Sequence, residues 1–290
     1  MEKARRIESM GYSTIFMPDH FEDQLAPVPA LMAAADATTT LRVGSLVFDN
    51  DYKHPLVLAK EAATIDVLSG GRLELGLGAG WMKTDYEQSG IPFDSPGTRI
   101  ERMAEGIAII KGLFAPGPLT FEGKHYSVTG HEGTPKPAQR PHPPFLIGGG
   151  GRKVLTIAGR EADIVGINFT MHGGFVGPEA VVTGTSDATK EKIGWVREGA
   201  GDRFDDIELN VTVFVAMLND DRDAMAGMLA GGFNMSPEQV LASPHAAIGT
   251  VDQICDALER RREEFGFSYI VFSGGSEEAM APVVARLAGT

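Results

Sequence analysis

Apolar runs of four to ten residues alternate along this chain with segments of helical periodicity. The runs at 14–17, 41–47, 72–77, 144–147, 163–167, 208–217 and 268–272 have the length and boundaries of buried strands. Between them, Gly70-Gly71 stops one helix and Ser95-Pro96 starts another, whose buried stripe is traced by Ile100, Met103, Ile107, Ile110 and Phe114. Ser236 and Gln239 have the spacing of a capping box. Alternating β and α elements over a chain of this length predict an α/β fold, a (β/α)8 TIM barrel rather than a doubly wound sheet. The strand count falls one short, and the absent strand is the first, because residues 3–10 already read as helix with Gly11 as its stop. A closed barrel needs a strand before that helix. Either the chain is shortened at its start, or the barrel is open between its last strand and the one leading to Asp19, with two unpaired edges.

The run at 14–17 ends in Pro18-Asp19-His20. A buried strand with an acid and an imidazole at its C-terminal end is how a parallel β/α barrel presents catalytic groups, which makes His20 the first catalytic candidate and Asp19 its companion. The alternative is a structural histidine hydrogen-bonded to Asp19. The other histidines carry less: His54 flanks the start of a helix at Pro55, His125, His131 and His142 lie in a Gly/Pro-rich stretch, His245 lies in a loop, and His172 is placed to reach a pocket mouth.

Composition narrows the function. The chain has 290 residues, 43% of them hydrophobic, enough for one large core, and is read as one domain over 1–290. Its 26 Lys+Arg against 39 Asp+Glu give a formal charge of −13, with no basic run to follow a phosphate backbone, so nucleic acid is not an expected partner. The N-terminus lacks the apolar core of a signal peptide and no segment has the length and apolarity of a membrane span, which predicts a cytoplasmic protein without a membrane partner. The single cysteine, Cys255, excludes a disulfide framework or a thiolate cluster. A metal hydrolase barrel would want a His-x-His pair on a strand, and a serine hydrolase a Gly-x-Ser-x-Gly elbow; neither motif occurs. No metal is expected.

Two glycine-rich segments follow strands. Gly76-Leu-Gly78-Ala-Gly80-Trp81 has Trp81 rather than a glycine at the spacing a dinucleotide turn requires. Two readings stand for it: a tight loop, or a backbone that lets a flat ring approach with Trp81 lining the cavity. Gly148-Gly149-Gly150-Gly151-Arg152 precedes a helix, where free N–H groups and Arg152 predict a phosphate site.

Gly11-Tyr-x-x-Ile-Phe-x-x-Asp19-His20, the loop ending at Trp81, the helix from Arg99 to Phe114 and the proline-rich run from Pro135 to Gly149 resemble the bacterial luciferase-like monooxygenase superfamily over nearly the whole chain. Within it the chain is similar to actinobacterial oxidoreductases that use the deazaflavin coenzyme F420. The resemblance implies a luciferase-like barrel, Asp19 near the cofactor ring and His20 facing the reacting carbon and substrate. Ser45-Leu46 matches a site where the family often has a non-proline cis peptide against the ring. The family's phosphate-binding glycines fall on Gly148, Gly149 and Gly150, and the strand through Val165-Gly166 matches another pocket wall. Gly78, Gly80 and Trp81 complete the cofactor-binding set. One departure bears on mechanism: sugar-phosphate dehydrogenases of this type carry an acidic glutamate where this chain has Trp81, so the sugar-phosphate reaction is not expected. Asp85 and Tyr86 read as polar contacts or as surface and packing residues.

The stretch 115–144, with a hairpin turning at Glu122-Gly123-Lys124, resembles the insertion over the barrel mouth in this superfamily, and 169–189 reads as a mobile lid. The function implied is hydride transfer between F420 and a small organic substrate. The alternatives are a flavin mononucleotide (FMN) dependent monooxygenase of the same superfamily and a non-catalytic flavin- or deazaflavin-binding protein. A homodimer through barrel helices is expected.

Overall fold

The structure, a computed structural model, describes residues 1–171 and 173–290, so the expectation for His172 lies outside the described residues. The chain divides into two compact units, Met1–Glu8 with Ser13–Ile147 and Ser9–Tyr12 with Gly148–Thr290.

Unit 1 opens on helix α1 (Glu2–Ser9), followed by β1 (Thr14–Met17), α2 (Pro27–Ala37), β2 (Arg42–Ser45), β3 (Phe48–Asp49), α3 (Pro55–Leu68), β4 (Leu73–Gly78), α4 (Lys83–Ser89), α5 (Pro96–Phe114), β5 (Pro118–Glu122), β6 (Ser127–Glu132) and the start of β7 (Phe145–Gly149). β1, β2, β4 and β7 pair in parallel in that order, and β3 adds to the C-terminal half of β4 through Phe48 opposite Leu77. Val43, Leu73, Leu75, Leu77, Phe145, Leu146 and Ile147 are fully buried, which accounts for their continuous apolar runs. Sequence and structure agree at the helix ends: His54 accepts the Leu56 N–H, and Ser95 accepts the Thr98 N–H. The run read as one strand over 41–47 instead breaks after Ser45 and resumes at Phe48, and the non-proline cis peptide is Leu46–Val47 rather than Ser45–Leu46. The antiparallel hairpin β5–β6 has its turn at Gly123, whose N–H bonds Tyr126 O. Glu105 of α5 anchors it by accepting the N–H groups of Lys124, His125 and Tyr126 at 2.8–3.0 Å.

The polar groups at the N-terminal ends of these strands are matched to one another. Arg42 donates to Glu74 at 2.6 Å, Thr14 to the same oxygen, and Gln139 bonds Asp66 and Leu73 O. Acid, base and amide satisfy each other there, the arrangement expected of a stabilising end.

Unit 2 comprises α6 (Arg152–Glu161), β8 (Ile164–Ile167), α7 (Pro178–Val181), α8 (Ser186–Ala200), β9 (Glu208–Val213), β10 (Val215–Leu218), α9 (Arg222–Phe233), α10 (Pro237–Ala242), β11 (Ala246–Gly249), α11 (Val251–Phe265), β12 (Phe267–Phe272) and α12 (Glu277–Leu287). β8, β9 and β12 run parallel in that order, and β10 pairs in parallel with β11. Two expectations are corrected here. The run at 208–217 is two strands broken at Phe214, because Phe214 and Val215 donate to His245 O and β10 leaves β9's line to pair with β11. β11 itself was missed: Ala-Ala-Ile-Gly is short and poor in β-branched residues, and Thr250 at its end caps the next helix. Near the segment read as a lid, Thr170 N–H bonds Thr183 Oγ1, and Lys192 Nζ bridges Asn168 O and Thr183 O at 2.7 Å each. The Ser236–Gln239 capping box is present, and Thr250–Gln253 forms a second.

Candidate active site

Because β1, β3 and β4 run parallel, their C-terminal ends deliver three polar segments of unit 1: Asp19-His20, Asp49 to Tyr52, and Gly80-Trp81. Helix α4 then adds Asp85 and Tyr86, which are 2% and 0% exposed. They are neither surface residues nor mere packing. Asp85 Oδ2 lies 2.7 Å from His20 Nδ1 and accepts the Tyr52 hydroxyl at 3.0 Å, while Oδ1 accepts the Phe21 N–H. Trp81 meets the imidazole edge-on with ring centroids 5.5 Å apart, and Phe21 stacks on Tyr52 at 4.6 Å. His20 Nε2 makes no hydrogen bond among the described residues. The expected alternative, a His20–Asp19 bond, is not formed: Asp19 Oδ2 instead accepts the Asp49 N–H, and burial raises the Asp19 pKa.

A second hydrogen-bonded group lies beside the first. Tyr86 donates to Asp49 at 2.9 Å and touches Asp51, which Arg102 holds through Nε and Nη2 while its Nη1 reaches Asp94. Burial, with the neighbouring Asp51 and Asp19 charges, pushes Asp49 up to about 7, although the Asp51 N–H and the Tyr86 hydroxyl pull the other way. Burial first, and then the nearby carboxylates, raise Tyr52 and Tyr86 well above the usual phenol range. Both hydroxyls therefore remain donors at neutral pH.

The glycine loop is packed by the protein itself. A Cβ at Gly76 would overlap Ser45 O, one at Gly78 would close to 2.5 Å on Val47, and one at Gly80, where φ is +74°, would overlap the Tyr86 hydroxyl. Ser45 is buried with its hydroxyl on Gly76 O, and Leu46 is half-buried beside it. Arg99, stacked on Phe93 at 4.2 Å, donates to Ala79 O and Gly80 O and so fixes the backbone that carries Trp81.

In unit 2, Gly148 to Gly151 lead into α6 as expected, with Val165 and Gly166 fully buried on β8. Gly149 O accepts the Asn168 N–H, Gly150 O accepts the Thr170 hydroxyl, and Gly150 has no room for a Cβ against Phe169 O. Gly151, by contrast, opens on space at the N-terminus of the ten-residue helix. Arg152 does not serve as the expected free charge: it pairs with Glu198 at 2.8 Å on the surface. A cleft of about 560 Å³ elsewhere on unit 2, lined by Lys190, Arg197, Phe204 and Phe265 among others, contains none of these residues. Its Lys190 is paired with Glu264 and its Arg197 lies on the Phe204 ring.

A family model described as luciferase-like monooxygenase matches residues 1–264. The chain belongs to the luciferase-like monooxygenase family. Among curated members, FMNH(2)-dependent dimethylsulfone monooxygenase of Pseudomonas putida is 29% identical over 157 residues, 54% of this chain and 42% of that protein. F420-dependent glucose-6-phosphate dehydrogenase of Microbacterium testaceum is 32% identical over 164 residues, 54% of this chain and 48% of that protein. The chain thus spans about half the length of these curated relatives. The coenzyme F420 dependent tetrahydromethanopterin reductase from Methanopyrus kandleri superposes with a TM-score of 0.75 at 20% identity, covering 98% of this chain and 93% of that one. That likeness shows the fold, the α/β barrel type of the luciferase-like family.

The family includes both F420-dependent oxidoreductases and FMN monooxygenases. Among the described residues, no cluster of three His, Cys, Asp or Glu side chains is arranged to hold a metal ion, and no helix is long and apolar enough to cross a membrane. Residue patterns left Asp85 between a polar contact and a surface or packing residue and did not join it to His20. The signal present in the sequence was an acid and a tyrosine following Gly-Trp at a strand end, with a second acid-rich segment, Asp49 to Tyr52, at another.

Proposed function

We propose that this chain is an oxidoreductase that moves hydride between coenzyme F420 and a small organic substrate, with His20 exchanging the accompanying proton. The observation that carries the reading is His20 itself: at a strand's C-terminal end, bound at Nδ1 by a buried carboxylate, edge-on to Trp81, with Nε2 free among the described residues. The deazaflavin, when bound, supplies or accepts the hydride at a ring carbon. For unit 1 we assign contact with its ring to Asp19, Ser45, Leu46, Gly78, Gly80 and Trp81. For unit 2 we assign phosphate contact to Gly148, Gly149 and Gly150, backed by Val165 and Gly166. The residues fit such a group in each unit on separate grounds. Trp81 is half-buried beside the imidazole, and Gly151, the N-cap of α6, opens on space where the first-turn N–H groups of a helix suit an anion.

His20 takes up a proton as a substrate hydroxyl becomes a carbonyl, or returns one in the reverse direction. Trp81 packs against the imidazole with the two rings nearly perpendicular. The F420 reading is supported by relatives named as F420-dependent glucose-6-phosphate dehydrogenases. The FMN reading rests on relatives such as the dimethylsulfone monooxygenase. A cytoplasmic enzyme that pairs with a second copy completes the proposal; the exposed Val57, Val67 and Leu68 of α3 support self-association.

The test is equilibrium binding of F420 and FMN, side by side, to the wild type and to His20→Ala, followed by turnover. Selective F420 binding by both, with turnover in the variant reduced about 10²-fold or more, is expected. Selective FMN binding would move the chain to the monooxygenases of the family. Binding without turnover in either protein would favour a non-catalytic carrier.

A further inference from the structure

We infer that Asp85 is a positioning residue that locks His20 as the Nδ1–H tautomer and so makes Nε2 the nitrogen that exchanges the proton. The inference rests on the proton role proposed for His20, but its structural half stands without it.

An ionised carboxylate has only acceptors, so the contact of 2.7 Å between Asp85 Oδ2 and His20 Nδ1 is satisfied only when Nδ1 carries hydrogen. The other contacts of Asp85 reinforce its acceptor role. Tyr52 donates to the same oxygen and the Phe21 backbone N–H to the other, so three donors converge on one carboxylate that is 2% exposed. The Phe21 contact ties the carboxylate to the backbone immediately after His20, which fixes the imidazole relative to its own strand end. Trp81 limits rotation of the ring from the side. The tautomer is thus set by a residue 65 positions away in sequence, on a different element. Tyr52, stacked on Phe21, serves as a brace for Asp85 rather than as a second proton carrier.

The experiment is nitrogen-15 NMR of the imidazole in the chain without any cofactor, at a pH well above the ordinary imidazole range. The wild type is expected to show hydrogen on Nδ1 and a bare Nε2. Asp85→Asn is expected to shift His20 toward the Nε2–H form, while Tyr52→Phe retains the Nδ1–H form because the Asp85 contact remains. A neutral wild-type His20 with hydrogen on Nε2 overturns the inference. So does an Asp85→Asn variant, folded by circular dichroism, with unchanged tautomer. If Asp85→Asn does not fold, the wild-type and Tyr52→Phe spectra still decide it.

In the loaded enzyme, Asp85→Asn is expected to lower kcat on the order of 10²-fold with KM changed little, since the loss falls on proton exchange rather than on binding. Equal effects on both parameters would refute the assignment. Failure of the chain to bind F420 or FMN would refute the proposed function and leave the tautomer result intact, so the two failures are separable.

Discussion

Asp49→Asn is expected to stabilise this protein at neutral and alkaline pH and to do nothing of the kind in acid. The Asp49 carboxyl is 6% exposed and is pushed up to about 7, against an ordinary value of 3.8, mainly by burial. Below both values the folded and unfolded chains each hold the proton and the group contributes no difference. As pH rises from 3.8 toward 7 the unfolded chain releases its proton while the folded chain retains it, so folding is progressively disfavoured; above about 7 the penalty is constant. At about 1.4 kcal/mol per pH unit, the interval amounts to ~4 kcal/mol. Asparagine removes the titration and keeps one acceptor oxygen for the Asp51 N–H or the Tyr86 hydroxyl, which now bond Asp49 at 2.9 Å each. Loss of the second acceptor costs about 1 kcal/mol, leaving a net gain of ~3 kcal/mol above neutrality. Urea unfolding of both proteins between about pH 4 and pH 8.5 reads this directly as a stability difference that grows with pH and then levels off. A difference that stays flat across that range, or that grows toward acid, would refute the reasoning.

His245 should act with the opposite sign. Burial lowers it to about 4, and its Nδ1–H donates to Thr212 O while Nε2 has no partner among the described residues. The wild type therefore loses ~3 kcal/mol as pH falls from 6.5 to 4, and His245→Gln should lose less over the same interval in an acid titration followed by circular dichroism. Two glycine replacements should differ in sign. Gly76→Ala drives a methyl into Ser45 O and should cost about 3 kcal/mol or more, or prevent folding, whereas Gly194→Ala, in α8 with nothing within 4 Å, should gain roughly 0.5–1 kcal/mol by thermal unfolding.

The elements that were legible in the sequence are those whose signal is local. Strand runs such as Leu73 to Leu77, the caps at His54, Ser95 and Ser236, and the hairpin turn at Gly123 depend on neighbours a few positions apart. The placement of His20 at a strand end was legible for the same reason. β11 was not, because its four residues, Ala-Ala-Ile-Gly, between Pro244-His245 and a capping Thr250 carry too little periodicity. Asp85 failed for a different reason. Helix α4 is polar nearly throughout, so its pattern does not reveal that Asp85 and Tyr86 face inward; their burial is decided by His20, Tyr52 and Asp49, 65, 33 and 37 positions away. A buried carboxylate is visible only through its partners.

The two ends of the unit 1 sheet solve the burial of charge differently, and the difference supports the end proposed for the chemistry. At the N-terminal end, Arg42 answers Glu74 and Gln139 answers Asp66, so the acids are paired with groups whose only use is to satisfy them. At the C-terminal end, Asp19, Asp49 and Asp85 rely on backbone N–H groups, two tyrosine hydroxyls and one imidazole, while Arg102 is spent on Asp51 and Asp94. Around Asp49 these neutral donors do not offset burial, which costs stability and pushes its carboxyl up to about 7. That cost would be removed by substitutions such as Asp49→Asn. Its presence at the strand ends, beside His20 with no hydrogen bond at Nε2 among the described residues, agrees with the proton exchange proposed for that residue.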